Sequence, residues 1–183
     1  MHGLKRILGL GAVLMLFAAP AAAQGHEMGV DLVIASTEVD LPGAERVLEI
    51  GTPVDVRIGF GGAVLSFETR FSFAYLSSDG NSLLSFDPGL NVLYSLSGSR
   101  QQGLYLTGGG KIQIARVSGE DDSETETQLG VNVGLGTRMP MGAAALRIEG
   151  FYMMMLEKGS LGDSDYAPGA NAIGVRLGFS FWK

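Results

Sequence analysis

The strongest constraint in this sequence is an alternation of apolar and polar residues with a period of two. It is clearest in the final stretch, GVRLGFSFWK, where Val175, Leu177, Phe179 and Phe181 alternate with smaller or polar residues. Period two indicates β-strands whose two faces meet different environments. The pattern recurs eight times, over residues 27–34, 54–61, 65–75, 84–95, 104–114, 128–136, 144–152 and 174–181. It therefore predicts an all-β fold of eight strands.

The connections between these runs alternate in length. Short connections fall at residues 61–63, 97–101 and 139–142, and longer ones, which carry most of the acidic residues, at 36–52, 76–82, 117–126 and 157–170. Short turns at one end and long polar loops at the other are typical of outer-membrane barrels. We therefore predict an antiparallel up-and-down transmembrane β-barrel. Because a closed barrel has no edge, the last strand should pair with the first.

The first 23 residues have the features of a secretory signal peptide. Lys5 and Arg6 precede an apolar segment at residues 7–17, and three alanines at 21–23 offer a cleavage site before Gln24. That segment is too short to span a bilayer, which takes roughly 20 apolar residues. The sequence thus predicts a signal peptide at 1–23 and a barrel domain at 24–183. The chain has no Cys, so we expect no disulfide, and its net charge of −6 argues against a nucleic-acid partner.

Two features favour an apolar face that points outward into lipid. The polar rows are rich in glycine, which weakens a solvated strand but leaves room inside a narrow barrel. The apolar rows carry aromatics of the kind that form interfacial girdles. The predicted girdle residues are Phe60, Phe71, Phe73, Tyr75, Tyr94, Tyr152, Phe179 and Phe181. The alternative is a soluble periplasmic binder similar to a lipocalin, which would bury the apolar face.

With LRIEGFY at 146–152 and GVRLGFSF at 174–181, the chain resembles the small eight-stranded outer-membrane proteins of the OmpA/OmpX type. The resemblance implies a location in the bacterial outer membrane. It also implies contact with outer-membrane lipids, lipopolysaccharide and the outer-membrane assembly machinery, and a role in envelope integrity, adhesion or environmental contact. It implies no cofactor and does not identify a surface ligand. The chain departs from the pattern at its end, where Lys183 is last and Phe181 is the last outward aromatic.

The predicted inward rows carry equal numbers of acidic and basic residues. They are Asp31, Asp55, Glu68 and Glu149 against Arg57, Arg70, Arg147 and Arg176, and Lys111 lies on an inward row as well. An unpaired buried charge is costly, so these residues are interpreted as a paired structural network that fills the lumen. The alternative interpretation is a narrow transport path for small solutes.

Catalytic chemistry has little support in the sequence. His26 is the one histidine after the predicted signal peptide, and no Ser and acid accompany it in a recognisable local arrangement. A lipid A-modifying barrel enzyme stays an alternative, but we predict no catalytic, metal or cofactor residues. The acidic stretch at 119–126 lacks the spacing of an EF-hand and is interpreted as a solvated loop.

The sequence also predicts the register of one hairpin. Gly62 and Ala63 fit a two-residue type II′ turn, which favours glycine at its first position. That turn would place Arg57 opposite Glu68 and Asp55 opposite Arg70 on the inner face.

Overall fold

A computed structural model describes residues 26–39, 47–78, 81–118, 123–156 and 169–182. The predicted signal peptide, Lys183 and residues 119–122 of the acidic stretch lie outside the described residues, so those predictions are not tested by the structure. In the described parts of the chain, no helix is long and apolar enough to cross a membrane.

In the residues that the structure describes, eight antiparallel strands form one closed barrel in which each strand pairs with its neighbours in the chain and β8 pairs with β1. This confirms the predicted fold class. The strands are β1 (Glu27–Val39), β2 (Val47–Gly61), β3 (Leu65–Ser78), β4 (Asn81–Ser95), β5 (Gly103–Ser118), β6 (Ser123–Met141), β7 (Ala144–Met155) and β8 (Ala170–Trp182).

The strands extend beyond the predicted runs, mainly at the end with the long loops. Residues 36–52 were predicted as one long connection, yet β1 continues to Val39 and β2 begins at Val47. The prediction was wrong here because backbone pairing between neighbouring strands does not require apolar alternation. β4 and β5 are likewise continuous through Pro88 and the glycines at 108–110. The β4–β5 ladder nevertheless lacks pairs at Asp87 and at Pro88, which has no N–H to donate.

The barrel is staggered as well as closed. When register partners are followed once around the wall from Met28, the path returns to β1 at Glu38, ten residues further along. A stagger of ten over eight strands tilts the strands by about 40° and leaves an interior that side chains can fill.

The predicted register of the β2–β3 hairpin is wrong by two residues. Gly62 donates its N–H to the carbonyl of Leu65, so the turn passes through Ala63 and Val64 rather than Gly62 and Ala63. The carbonyl of Val64 accepts a hydrogen bond from the N–H of Ser95, which ties the turn to β4.

As a result Arg57 lies opposite Arg70, and Asp55 lies opposite Ser72. A shift by two keeps every side chain on its face, so the inside–outside assignment is unaffected.

Candidate functional site: the charged lumen and the apolar outer wall

The lumen contains a buried and balanced network of ion pairs. All eight predicted charged residues point inward and are buried, and two further residues, Glu27 and Arg138, join them. Within the main network of the described residues, five acids therefore face five arginines. The acids are Glu27, Asp31, Asp55, Glu68 and Glu149, and the arginines are Arg57, Arg70, Arg138, Arg147 and Arg176.

Arg57 on β2 binds acidic residues from two directions. Its Nη1 donates to Glu27 Oε1 at 3.0 Å and lies 3.4 Å from Glu68 Oε2. Its Nη2 donates to Asp31 Oδ1 at 2.9 Å, and its Nε lies 2.6 Å from Asp31 Oδ2. Because β1 supplies two of these carboxylates, the guanidinium leans toward β1. This explains why Arg57 can stand opposite Arg70 in the register.

Arg70 is turned the other way, toward β7. It donates to Glu68 Oε1 at 2.6 Å and lies 3.4 Å from Glu149 Oε1. Its Nε is 3.8 Å from Asp55 Oδ2, so the two predicted attractions, Arg57 to Glu68 and Asp55 to Arg70, occur as diagonal contacts rather than direct pairs.

Glu68 and Glu149 are the central acids. Arg147 on β7 donates to both of them, and its Nε donates to the hydroxyl of Tyr105 at 2.5 Å. Tyr105 in turn donates to Glu149 Oε2 at 3.0 Å. Arg176 on β8 completes this set, donating to Glu149 Oε1 at 2.7 Å and to Asp55 Oδ2 at 3.1 Å.

Glu27 and Arg138 were not part of the network predicted from the sequence. Arg138 Nη2 donates to both oxygens of Glu27, at 2.9 and 3.0 Å. Glu27 lies on the same alternating row as Asp31, and Arg138 follows Gly134 and Gly136 on an even-numbered inward row of β6. The alternation of inward and outward residues therefore indicated that both side chains point inward. The predicted sixth run, however, ended at residue 136, two residues before Arg138.

The β4–β5 turn helps close the barrel at the end with the short turns. Arg138 Nη1 donates to the carbonyl of Arg100 at 2.7 Å, and Arg100 donates to the carbonyl of Gly61 at 2.9 Å. Ser95 and Ser97 fix the turn further through hydrogen bonds to the carbonyls of Ser99 and Gln102, both at 2.6 Å. The turn is thereby joined to the charged network.

Toward the other end the lumen becomes partly apolar. Val33, Ala35 and Phe151 are buried against one another, with Met153 beside them. The guanidinium of Arg176 lies 3.7 Å from the centre of the Phe151 ring, which links this cluster to the charged network.

Lys111 forms a pair of its own, away from the main network. Its Nζ lies 2.7 Å from Asp87 Oδ2, and Ser85 donates to the other oxygen of Asp87. Lys111 thus lies in the lumen, as its row predicted, but pairs with an acid that the prediction did not include.

The described residues offer little for catalysis. Among them no group of three His, Cys, Asp or Glu side chains is arranged to hold a metal ion. His26 is exposed, directly before β1. The buried carboxylates already receive hydrogen bonds from arginines, so none of those in the main network is positioned as a free base.

The outer wall is apolar, with side chains such as Leu32, Val133 and Leu177 exposed. Six predicted girdle aromatics are exposed on it: Phe73, Tyr75, Tyr94, Tyr152, Phe179 and Phe181. Phe71 is half-buried, and Phe60, whose ring stacks on Phe67 at 5.8 Å, is only 9% exposed. Phe60 therefore contributes little to the exposed surface, and the girdle assignment itself stays a prediction.

A charged interior within an apolar exterior is the reverse of a soluble binding barrel, which buries its apolar face.

No family model matches the chain, and no curated protein matches it. Among solved structures it is similar to Neisserial surface protein A, with a TM-score of 0.53 and 13% identity over 85% of this chain and 96% of that chain. It is also similar to a major outer membrane protein from Thermus thermophilus, with a TM-score of 0.52 and 12% identity over 85% and 99% of the two chains.

The chain has the fold of the small outer-membrane β-barrel proteins. The predicted resemblance is confirmed at the level of the fold. Because the wall exposes apolar side chains all around a closed barrel, this fold is stable only where hydrocarbon surrounds it. The protein is therefore an outer-membrane barrel, as the sequence predicted.

Proposed function

We propose that this protein is a sealed, non-catalytic outer-membrane barrel that acts through the part of the molecule that faces the cell exterior. The observation that carries the proposal is the balanced network of five acids and five arginines in the lumen. Its role is structural: it fills and cross-links the interior of the barrel.

Solute passage would be costly through such an interior. Arg57 and Arg147 are each fully buried and each contact at least two carboxylates. Separating one buried charge from its partners costs several kcal/mol, and an open path would require several such separations at once. This supports a packed interior over a transport path.

The surface that contacts molecules outside the cell is then the end of the barrel with the long connections. In outer-membrane barrels the short turns face the periplasm and the longer loops face outward. The acidic residues of the long connections would therefore meet lipopolysaccharide, divalent cations bound to it, or a surface of another cell.

Adhesion of whole cells tests this proposal. Cells that produce the protein would be compared with cells that lack it for binding to polystyrene beads coated with glycosaminoglycan, collagen or serum protein. We expect the producing cells to bind at least one coating more strongly. Shortening the connection at 157–168 should reduce that binding while the heat-modifiable gel shift of the folded barrel is retained. Equal binding by both cell types to every coating would contradict a surface role.

A further inference from the structure

The β6–β7 hairpin extends past its neighbour β5 at the end of the barrel with the short turns. The β5–β6 ladder ends at the pair Gly103–Arg138, whereas β6 continues to Met141 and pairs there with β7. Within the described part of the chain, residues 139–141 therefore have no strand partner on the β5 side. This segment reads MPM, two methionines on either side of a proline.

Both methionine side chains lie on the outer row of β6. Successive residues of a strand point to opposite faces, so Met139 and Met141 share one face with their Cα atoms about 7 Å apart. Met139 is 40% exposed and Met141 is 57% exposed. Their register partners on β7 are Leu146 and Ala144, and the small side chain of Ala144 leaves room beside Met141. Two accessible thioethers thus lie next to each other.

The pair lies at the inner interface of the membrane. One step between strands of the staggered wall changes the height along the barrel axis by about 3 Å. Met141 is two such steps below Phe181, by way of Ala144, and so lies about 6 Å nearer the periplasm. By the same geometry Tyr75 lies about 25 Å above Phe181, which matches the height of the apolar band. Met139 is about level with Phe181, so the periplasm has access to both sulfurs.

The backbone between the two methionines is stiff. The ring of Pro140 fixes its φ at about −65°, and a proline is tolerated in a strand where no N–H is needed for pairing, as on the unpaired β5 side. The hairpin turns at Gly142, whose φ of 66° is a conformation that glycine adopts readily. A ligand of this segment would therefore have to order side chains only, which lowers the entropic cost of binding.

The methionines at the loop end of β7 are placed differently. Met155 is buried in the lumen with its sulfur against Gly130, and Met153 packs beside the apolar cluster that contains Phe151. Met154 points outward and is 40% exposed, but in the described residues its register partners are Val131 and Asn171 and not a second methionine. These sulfurs serve packing or stand alone.

Met28 is the other exposed methionine near the short turns. It lies three strands away from Met141 around the wall, and exposed His26 precedes it by two residues. A thioether and an imidazole at this spacing are a different kind of ligand pair, which can be told apart by its response to pH.

We propose that Met139 and Met141 bind a soft monovalent metal ion, Cu(I), at the periplasmic end of the β6–β7 hairpin. Thioethers are soft ligands that select Cu(I), whereas Mg²⁺ and Ca²⁺ prefer oxygen. The methionine side chain has three rotatable bonds, so both sulfurs can turn toward one ion. With two protein ligands the ion stays exchangeable, which suits transient capture rather than storage. This site is independent of the proposed surface role.

NMR of ¹³C-labelled methionine methyl groups tests the site in refolded protein in micelles. The probes are silver nitrate in chloride-free buffer, since Ag(I) is a soft ion of the same charge that is stable in air, and Cu(I) under anaerobic conditions. The methyl signals of Met139 and Met141 should shift together and saturate at one ion per protein, while those of Met28 and Met154 should not move. Met141→Leu, which conserves volume, should weaken binding at least about tenfold. Met154→Leu, a control at the far end of the barrel, should stay within about twofold of wild type.

The pH dependence identifies the ligands. A thioether carries no proton, so the affinity should be constant between about pH 8 and pH 5, whereas protons compete with a metal ion for an imidazole over this range. An affinity that falls with pH, together with a shifted Met28 signal, would assign the ion to His26 and Met28 and overturn the proposal.

Equal shifts of all exposed methionine signals would also overturn the proposal, because they would show non-specific binding. The same holds if Met141→Leu binds silver as tightly as wild type. The heat-modifiable gel shift verifies that each variant is folded, and Met139→Leu provides the same test if Met141→Leu does not fold.

Discussion

Single residues inside the barrel have little room to change, and Gly178 is a clear example. It lies opposite Asp31, and an added Cβ would come 2.1 Å from the carbonyl oxygen of Val30 and 2.0 Å from Asp31 Oδ1. We expect Gly178→Ala to lower the free energy of unfolding by about 1–3 kcal/mol, because the backbone must shift. Gly110→Ala, on the exposed outer row of β5, is the control. Its nearest atom would be 3.5 Å away, so its effect should be within about 0.5 kcal/mol or slightly stabilising. Urea titration in micelles, followed by Trp182 fluorescence, measures both, and equal effects would contradict the packing described.

Arg57 tests the network at a residue that contacts three of its five acids. Arg57→Met leaves Glu27, Asp31 and Glu68 short of a cationic partner in a buried site. The free energy of unfolding should fall by about 3–5 kcal/mol. Exposed Arg116 provides the control, since polar contacts of an exposed side chain contribute little and Arg116→Met should change stability by no more than about 1 kcal/mol. A loss below about 1 kcal/mol for Arg57→Met in the same titration would show that the network does not hold the barrel together.

The alternation along each strand predicted most of the inward residues, because a period of two fixes the face of a residue without knowledge of its neighbours. The alternation does not indicate how far a strand continues, which is why Arg138 was not predicted. It also does not state which acid an arginine reaches. Arg57 bends toward β1 and Arg70 toward β7, and these choices depend on strands far away in the sequence.

At the level of elements, the β2–β3 hairpin shows that the residue preferences of a turn can predict the wrong register. Gly62 and Ala63 match a preferred two-residue turn, and that turn gave direct opposite-charge pairs. The structure instead places the turn at Ala63 and Val64, because the β4 strand binds Val64 and long side chains make the ion pairs diagonally. Pairwise charge matching across one hairpin was too local a criterion for a lumen in which eight strands contribute.

Disulfide trapping tests this register in a chain that has no native Cys. Ile58 and Thr69 are direct partners, and both lie on the outer row. Ile58→Cys with Thr69→Cys should form a disulfide under mild oxidation, since direct cross-strand partners have suitable Cα separations. Ile58→Cys with Phe67→Cys, the pair expected from the Gly62–Ala63 turn, should stay reduced. Trapping of the second pair in preference to the first would restore the sequence-based register.

At the level of the whole molecule, the barrel could be predicted because closure is a global requirement visible in the sequence. Eight alternating runs and a final strand of Val175 to Phe181 left one simple arrangement, in which β8 pairs with β1. The end of the β2–β3 ladder at the pair Val54–Phe73 could not be predicted, because it follows a shift of β1–β2 pairing near Ile34 that no local sequence pattern indicates. The balanced charges of the inward rows favoured a paired network in the lumen, but which residues pair depends on distances that the sequence does not contain.

Current across a planar lipid bilayer tests the sealed lumen most directly. Purified, refolded protein, verified by its gel shift, would be inserted into the bilayer in potassium chloride and held at a range of voltages. The packed network predicts no stable open steps, because ion passage requires the separation of several buried pairs at once. Sustained, reproducible conductance steps of porin size would contradict the account.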